Sequence, residues 1–200
     1  SFLRAVCAVY RILKEKNSNI VFVCDPVLGD HGKLYVPSGA ELVEVYRREM
    51  VPIATILTPN EFECEMLTGF KITSITDAVK SCLYLHEQGP EVVVITSMEL
   101  QSEPEHIVML ASRRLVGRCN QGDDGLKAQH RYEIWRLSIP KIDGAYTGTG
   151  DLTAALFLAH LNYGRTSTNT MLEDDRQSDS LPSLPVAMAN VVGSVTAIIK

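Results

Sequence analysis

Four short segments, far apart in the chain, carry the residue types that could do chemistry. They are Asp25 and Asp30 in VCDPVLGD, Thr58, Asn60 and Glu63 in ILTPNEFE, Thr96 and Ser97 in VVVITS, and the turn Gly148, Thr149, Gly150 and Asp151. Asp25, Asp30 and Glu63 are carboxylates of the kind a Mg²⁺ ion takes from a protein when water and nucleotide phosphate complete its shell. The two glycines of GTGD let the backbone approach a phosphate, and a helix beginning near Asp151 adds its positive dipole end, which together make an anion site. Asp151 then stands where it could accept the proton of an attacking hydroxyl. Each segment also has a plainer reading. Asp151 can simply charge a first helical turn, Asp25 and Asp30 can belong to a solvated turn, Glu63 can be the capping-box partner of Asn60, and Thr58 and Thr96 can be strand-end hydroxyls. The co-occurrence of all four favours the chemical reading.

The elements between these segments say how they could meet. Residues 2–16 place Phe2, Leu3, Val6, Val9, Tyr10 and Leu13 near one face at helical spacing. IVFVCDP follows as a short β-branched run, closed by Pro26, that reads as a buried parallel strand. Ser38 with Glu41 makes a capping box for a helix over 38–48, PIATILTPN is the next strand, and Asn60 with Glu63 opens a helix ending at Gly69. A helix over 76–88 stops at Gly89-Pro90, and EVVVITS is a third strand. Alternation of this kind predicts an α/β fold, a mostly parallel central sheet with helices on both faces, over 1–200 as one domain. In an open parallel sheet the carboxyl ends of the strands face one crevice, so the four segments are expected to converge there.

The cycle breaks at residues 106–141, where HIVMLAS and RYEIWRLSI flank a Gly, Asn and Asp-rich tip and read as a two-stranded excursion. Trp135 on the second run reads as core. GTGD then leads into an apolar helix, residues 163–183 read as a flexible polar loop, and 186–200 read as helix. The chain opens on a helix with no strand before it, so the sheet is expected to be incomplete at that end.

Composition narrows the class of function. A net charge of −5 and 46% hydrophobic residues fit a globular protein with a small-molecule partner, and argue against a broad basic surface for nucleic acid or anionic membrane. Cys7, Cys24, Cys64, Cys82 and Cys119 are widely spaced with no C-x-x-C pair, which suits reduced thiols and a cytoplasmic setting. No apolar run reaches the roughly 20 residues of a membrane span. His31, His86, His106, His130 and His160 show no ligand spacing. Neither a G-x-x-x-x-G-K-[ST] loop nor an H-R-D loop is present, which excludes P-loop and protein-kinase readings.

VCDPVLGD, ILTPNEFECEMLTG, VVVITS and GTGD, in this order and spacing, resemble the pyridoxal kinases of the ribokinase-like superfamily. The Asp of GTGD sets the chain apart from related hydroxymethylpyrimidine kinases, which usually have Cys there. Sugar kinases of the ribokinase branch usually carry GAGD. The resemblance implies a cytoplasmic homodimer that transfers phosphate from ATP to the 5′-hydroxymethyl group of pyridoxal, pyridoxine or pyridoxamine, with Mg²⁺ and a monovalent cation (K⁺ or Na⁺). It implies Asp151 as base, Asp25, Thr58 and Thr96 as monovalent-cation and ATP contacts, and Asp30 and Glu63 as magnesium ligands. Asn60, Ser97, Thr149 and Gly150 would contact nucleotide phosphates, and Ile142, Asp143 and Gly144 would lie beside the adenosine. The alternatives are a non-catalytic nucleotide-binding protein and a kinase for another hydroxymethyl heterocycle.

Overall fold

A computed structural model describes residues 2–37, 39–115, 131–142, 144, 148–167 and 183–199, without the side chains of 162–167. Ser38 and its capping box, the tip of the excursion, Cys119, His130 and Asp143 lie outside the described residues.

The helix α1 (Phe2–Lys16) leads into β1 (Val23–Cys24). A small hairpin follows, β2 (Gly29–Asp30) with β3 (Lys33–Leu34), turning on His31 (φ 47°) and Gly32 (φ 75°). Two successive residues at positive φ are what a two-residue hairpin turn of matching twist requires. Next come α2 (Gly39–Val45), a π-helical turn Tyr46–Met50, a 3₁₀ turn Val51–Ile53 and β4 (Ile56–Leu57). Then follow α3 (Glu61–Thr68), α4 (Ile75–Gln88), β5 (Val92–Met98), β6 (His106–Leu115), β7 (Arg131–Pro140), α5 (Thr149–Ser167) and α6 (Leu184–Ile199).

The main sheet has the order β1-β4-β5-β6-β7. Its β1, β4 and β5 are parallel, while β6 and β7 are antiparallel extensions. The excursion expected from the sequence is therefore the continuation of the same sheet. The alternation of side chains along each strand feeds two cores. Cys24, Leu57, Val93, Ile95, Val108 and Leu110 meet residues of α1 through α4 on one face. Ile56, Val92, Val94, Met109 and Ala111 meet Phe157 and Leu161 of α5 and Leu184, Ala187, Met188 and Val191 of α6 on the other. Helices thus cover both faces.

Helix α1 forms over the residues read as an amphipathic helix, and two other readings needed correction. Of its apolar residues, Leu3, Val6 and Cys7 pack into the core beside the turn at Met50 and Tyr10 stacks on Phe22 with centroids 4.9 Å apart, whereas Phe2, Val9 and Leu13 are exposed. Trp135 is 44% exposed on β7, an edge strand with a partner on one side only among the described residues, and its indole donates to Glu133 Oε1 at 2.8 Å. Helix α5 continues through Ser167, inside the stretch read as a loop from 163. Among the described residues, no helix is long and apolar enough to cross a membrane.

Candidate active site

The parallel strands place three of the four segments at one end of the sheet. β1 ends at Cys24, so Asp25 is the first residue beyond it, and β4 ends at Leu57, so Thr58 occupies the matching position. Thr58 N donates to Cys24 O at 3.0 Å and Thr96 N donates to Pro59 O at 2.9 Å, so the ladder carries on past the formal strand ends. The β5 register shifts between Ile95 and Met98, and such a bulge re-aims the side chains it contains, here Thr96 and Ser97. Both are half-buried, and the Thr96 hydroxyl donates to Pro59 O at 3.3 Å.

Helix α5 arrives from the other side of the sheet. Its docking residues Ala154, Phe157 and Leu161 recur at helical spacing and are buried. Gly148, at φ 79°, makes the turn into it, and its carbonyl accepts the first helical bond, from Leu152 N at 3.1 Å. The amides of the first turn have no intrahelical acceptor and point outward from the helix start. This start lies against β1: a Cβ placed on Gly150 would sit 3.4 Å from Asp25 Oδ2. GTGD, the last segment in sequence, is thus in contact with the first.

The carboxylates feel each other. The Asp25 pKa is pushed up to about 6, chiefly by burial, with the Thr58 hydroxyl bond opposing and the Asp151 charge adding. Thr58 Oγ1 lies 3.3 Å from Asp25 Oδ1 and 3.4 Å from Cys24 O, and its single proton serves one of them at a time. Glu63 is 4% exposed and its pKa is pushed up to about 7 by burial, against hydrogen bonds from the Asn60, Leu28 and Gly29 amides, with Asp25 adding. A cation beside these groups would favour their ionised forms.

The Asn60–Glu63 capping box forms as the sequence indicates. Glu63 N donates to Asn60 Oδ1 at 2.8 Å and Asn60 N to Glu63 Oε2 at 3.0 Å. It also does more, since Glu63 Oε1 accepts from Leu28 N at 2.9 Å and from Gly29 N at 3.5 Å, and Asn60 Nδ2 donates to Gly29 O at 2.9 Å. Asp30 stands apart on the exposed hairpin, where its Oδ1 accepts from His31 N at 2.8 Å. Among the described residues no three His, Cys, Asp or Glu side chains gather as a ligand set for a metal. A cation here would draw most of its shell from water and phosphate. Ile142 is half-buried, and Gly144, at φ 135°, is exposed.

Sequence reasoning missed the backbone contributions: the Leu28 and Gly29 amides and the Cys24 and Pro59 carbonyls. Gly29 was the available signal. A Cβ there would collide with Lys33 O and come within 2.7 Å of Phe62 Cε1, so only glycine fits where the hairpin crosses α3. Tyr46 was missed too. It is buried in the π-helical turn, and its phenol pKa is pushed up to about 12 by burial, with Cys24, Asp25 and Glu63 adding.

A model of the phosphomethylpyrimidine kinase family matches residues 3–173. The chain belongs to this family. Among curated members it is 45% identical over 162 residues to pyridoxal kinase of Arabidopsis thaliana, covering 81% of this chain and 47% of that protein. It is 41% identical over 165 residues to pyridoxal kinase of Homo sapiens, covering 80% and 50%. The structure of pyridoxal kinase from Leishmania donovani in complex with ADP and pyridoxamine superimposes with a TM-score of 0.72 at 28% identity, covering 98% of this chain and 57% of that one. The chain spans about half the length of the curated relatives it matches.

Proposed function

We propose that this chain carries the nucleotide-holding and proton-accepting part of a kinase for vitamin B6. The reaction is transfer of the γ-phosphoryl group of ATP to the 5′-hydroxymethyl oxygen of pyridoxal, pyridoxine or pyridoxamine. The observation that carries this reading is the seating of the α5 N-terminus against Asp25, which unites a helix-start anion site with buried carboxylates. Supporting it are the relatives named pyridoxal kinase and the Leishmania donovani structure that holds ADP and pyridoxamine.

In this reading the Gly148–Gly150 turn, with the Thr149 and Gly150 amides, cradles the transferring phosphoryl group. Thr96 and Ser97 flank the phosphates, and Ile142 and Gly144 line the adenosine. Asp151 takes the proton of the hydroxymethyl group as its oxygen bonds to the γ-phosphorus, and the bond to the β–γ bridging oxygen breaks, releasing ADP. Catalysis of this kind is mostly positioning and charge stabilisation. A buried carboxylate fits a cation, so Asp25 would hold Mg²⁺, with the exposed Asp30 reached through the water of its shell, and that charge would neutralise phosphate oxygens. The hydroxyls of Thr58 and Thr96, beside the Cys24 and Pro59 carbonyls, are neutral oxygens suited to a monovalent cation. A homodimer in the cytoplasm belongs to the same proposal.

Asp151→Asn tests the base. Formation of pyridoxal 5′-phosphate should fall roughly 10²–10⁴-fold, the usual contribution of a positioned proton acceptor, while Mg-ATP binding measured by calorimetry persists. Undiminished turnover would remove Asp151 from the mechanism. A parallel assay with a hydroxymethylpyrimidine, the substrate type that the family model's description suggests, separates the vitamin reading from its nearest rival.

A further inference from the structure

Residues 99–105, which connect β5 to β6, hold three glutamates that no role assigned above uses. β6 runs antiparallel to β5 and β7 antiparallel to β6, so β7 finishes at the same end of the sheet as β1, β4 and β5. Lys141 and Ile142, the first residues beyond β7, therefore lie at the end of the sheet that carries Thr96 and Ser97. Between these two places the backbone ladder is interrupted. The β5–β6 register shifts after Ile95 and resumes only at the Met98–Val108 pair, so Thr96 and Ser97 are not held by it.

The connection bridges that break with side chains. Glu99 N donates to Glu61 Oε2 at 2.9 Å, which ties the exit of β5 to the first residue of α3. Glu99 Oε2 accepts from Lys141 Nζ at 2.8 Å, and Lys141 N donates to Glu105 O at 3.0 Å. Glu103 accepts from Arg136 Nη2 on its two carboxylate oxygens, at 2.6 and 2.8 Å, and from Ser138 Oγ at 2.8 Å. The Ser138 hydroxyl and Arg136 hold the Glu103 carboxyl below its ordinary pKa, so it stays ionised and paired at neutral pH. An isolated exposed ion pair contributes little, but several that share one short segment act as a network.

We propose that residues 99–105 are a brace that sets the spacing between the phosphate side of the nucleotide site, at Thr96 and Ser97, and its base side, at Ile142, with Glu99 and Glu103 as the positioning residues. Both act through Lys141 and β7 rather than on the nucleotide. The inference rests on the kinase reading for its ligand, whereas the brace itself is testable without one.

The test truncates Glu99 and Glu103 to alanine, singly and together. Glu105→Ala is the control, because Glu105 joins the bonds above only through its backbone carbonyl. All three positions are exposed or half-buried, so both cores stay intact. Two quantities are read: exchange of the Lys141 amide with solvent deuterium in the nucleotide-free chain, and the ratio of dissociation constants for inorganic triphosphate and ATP, each with Mg²⁺. ATP is titrated by calorimetry and triphosphate by displacement of ATP. Loss of a negative charge favours both anions alike, and the ratio cancels it. The double variant should exchange Lys141 about fivefold faster or more, and its ratio should fall about fivefold or more, because ATP loses a base seat that triphosphate never uses. Each single variant should change less in the same direction, and Glu105→Ala not at all. Unchanged exchange, a ratio within about twofold of the parent, or an equal change in Glu105→Ala overturns the brace. A parent chain that binds no Mg-ATP refutes the kinase reading instead, and exchange at Lys141 then decides the brace on its own.

Discussion

Gly150→Ala separates what the GTGD turn does for stability from what it does for binding. Gly150 is the second residue of α5, is not at positive φ, and a Cβ there meets a single atom within 4 Å, Asp25 Oδ2 at 3.4 Å. That is ordinary van der Waals contact, so the methyl group fits without moving the backbone. Replacing a helical glycine by alanine then stabilises the fold by up to about 1 kcal/mol. For a chain of this length that raises Tm by roughly 2–4 °C. The methyl nevertheless fills the space between the amide-rich helix start and the Asp25 carboxylate, where a phosphate oxygen and its cation would sit. Blocking one charge-assisted hydrogen bond of about 1.5–3 kcal/mol weakens Mg-ATP binding by about tenfold or more. Differential scanning fluorimetry and isothermal calorimetry on the same preparation read both effects. A variant with raised Tm and ATP affinity within about twofold of the parent would refute the placement of the nucleotide phosphates at this turn, and a Tm lowered by several degrees would refute the open geometry around Gly150.

Two further predictions concern the scaffold. His86 is fully buried, with Nδ1 2.8 Å from the Pro90 carbonyl and Nε2 2.9 Å from Ser112 Oγ. A carbonyl can only accept, so Nδ1 carries the proton and the serine hydroxyl donates to Nε2. Burial, with Arg114 adding, lowers the folded-state pKa below the ordinary 6.5. Above pH 6.5 neither state is protonated at this residue and it contributes no pH dependence. Below it the unfolded chain takes the proton first, so stability falls by as much as about 1.4 kcal/mol per pH unit until the folded-state pKa is reached. Asp25 and Glu63, with raised pKa values, gain stability as they take up protons in the same range, so the readout is the difference between parent and His86→Gln in urea titrations from pH 8 to pH 5. That difference should change by up to this slope below pH 6.5, and one that is constant with pH would exclude His86. Phe157→Ala, which empties a fully buried site between α5 and the sheet, should cost about 3–5 kcal/mol in chemical denaturation, and a loss below about 1 kcal/mol would mean that α5 is not seated as described.

What the sequence made legible was what short-range chemistry determines. Asn60 and Glu63 announce their helix because the capping box is local, and the structure forms both of its bonds. Gly69 ends the helix at φ 77°, the left-handed conformation in which glycine is favoured. Run length and β-branching located the strands, although IVFVCDP pairs formally only over Val23–Cys24. The errors arose where a residue's fate depends on neighbours that are remote in sequence. Val9 and Leu13 have the spacing of a core face, but α1 is covered along Leu3, Val6, Cys7 and Tyr10, and spacing cannot say which part of a broad apolar arc will be covered. Trp135 has the character of a core residue, but its strand became the edge, a property of sheet order rather than of composition. The Leu28 and Gly29 amides were illegible for a different reason, since every residue but proline carries the same donor and only the fold chooses which ones a buried carboxylate will meet.

The route of the chain explains how the site closes. From β1 the polypeptide builds the sheet in one direction, through β4 and β5 to the antiparallel β6 and β7. It then crosses to the opposite face, where α5 packs on Ile56, Val92 and Val94 with its N-terminus back at Asp25. The two halves of the site therefore rest on different cores: Cys24, Leu28, Leu57 and Cys64 support the acidic loops from one face, and Phe157 and Leu161 support the GTGD turn from the other. The strands between them are the common reference, buried on both sides over Val92–Ile95. Because close-packed interiors transmit displacement, a change in either core would move one half of the site relative to the other. The bonds from Asn60 and Glu63 to Leu28 and Gly29 stiffen only the first half, and nothing equivalent among the described residues ties Gly150 to Asp25. Among the described residues the contact between Asp25 and the helix start is thus set by the packing of the two cores, and repacking either core should change it.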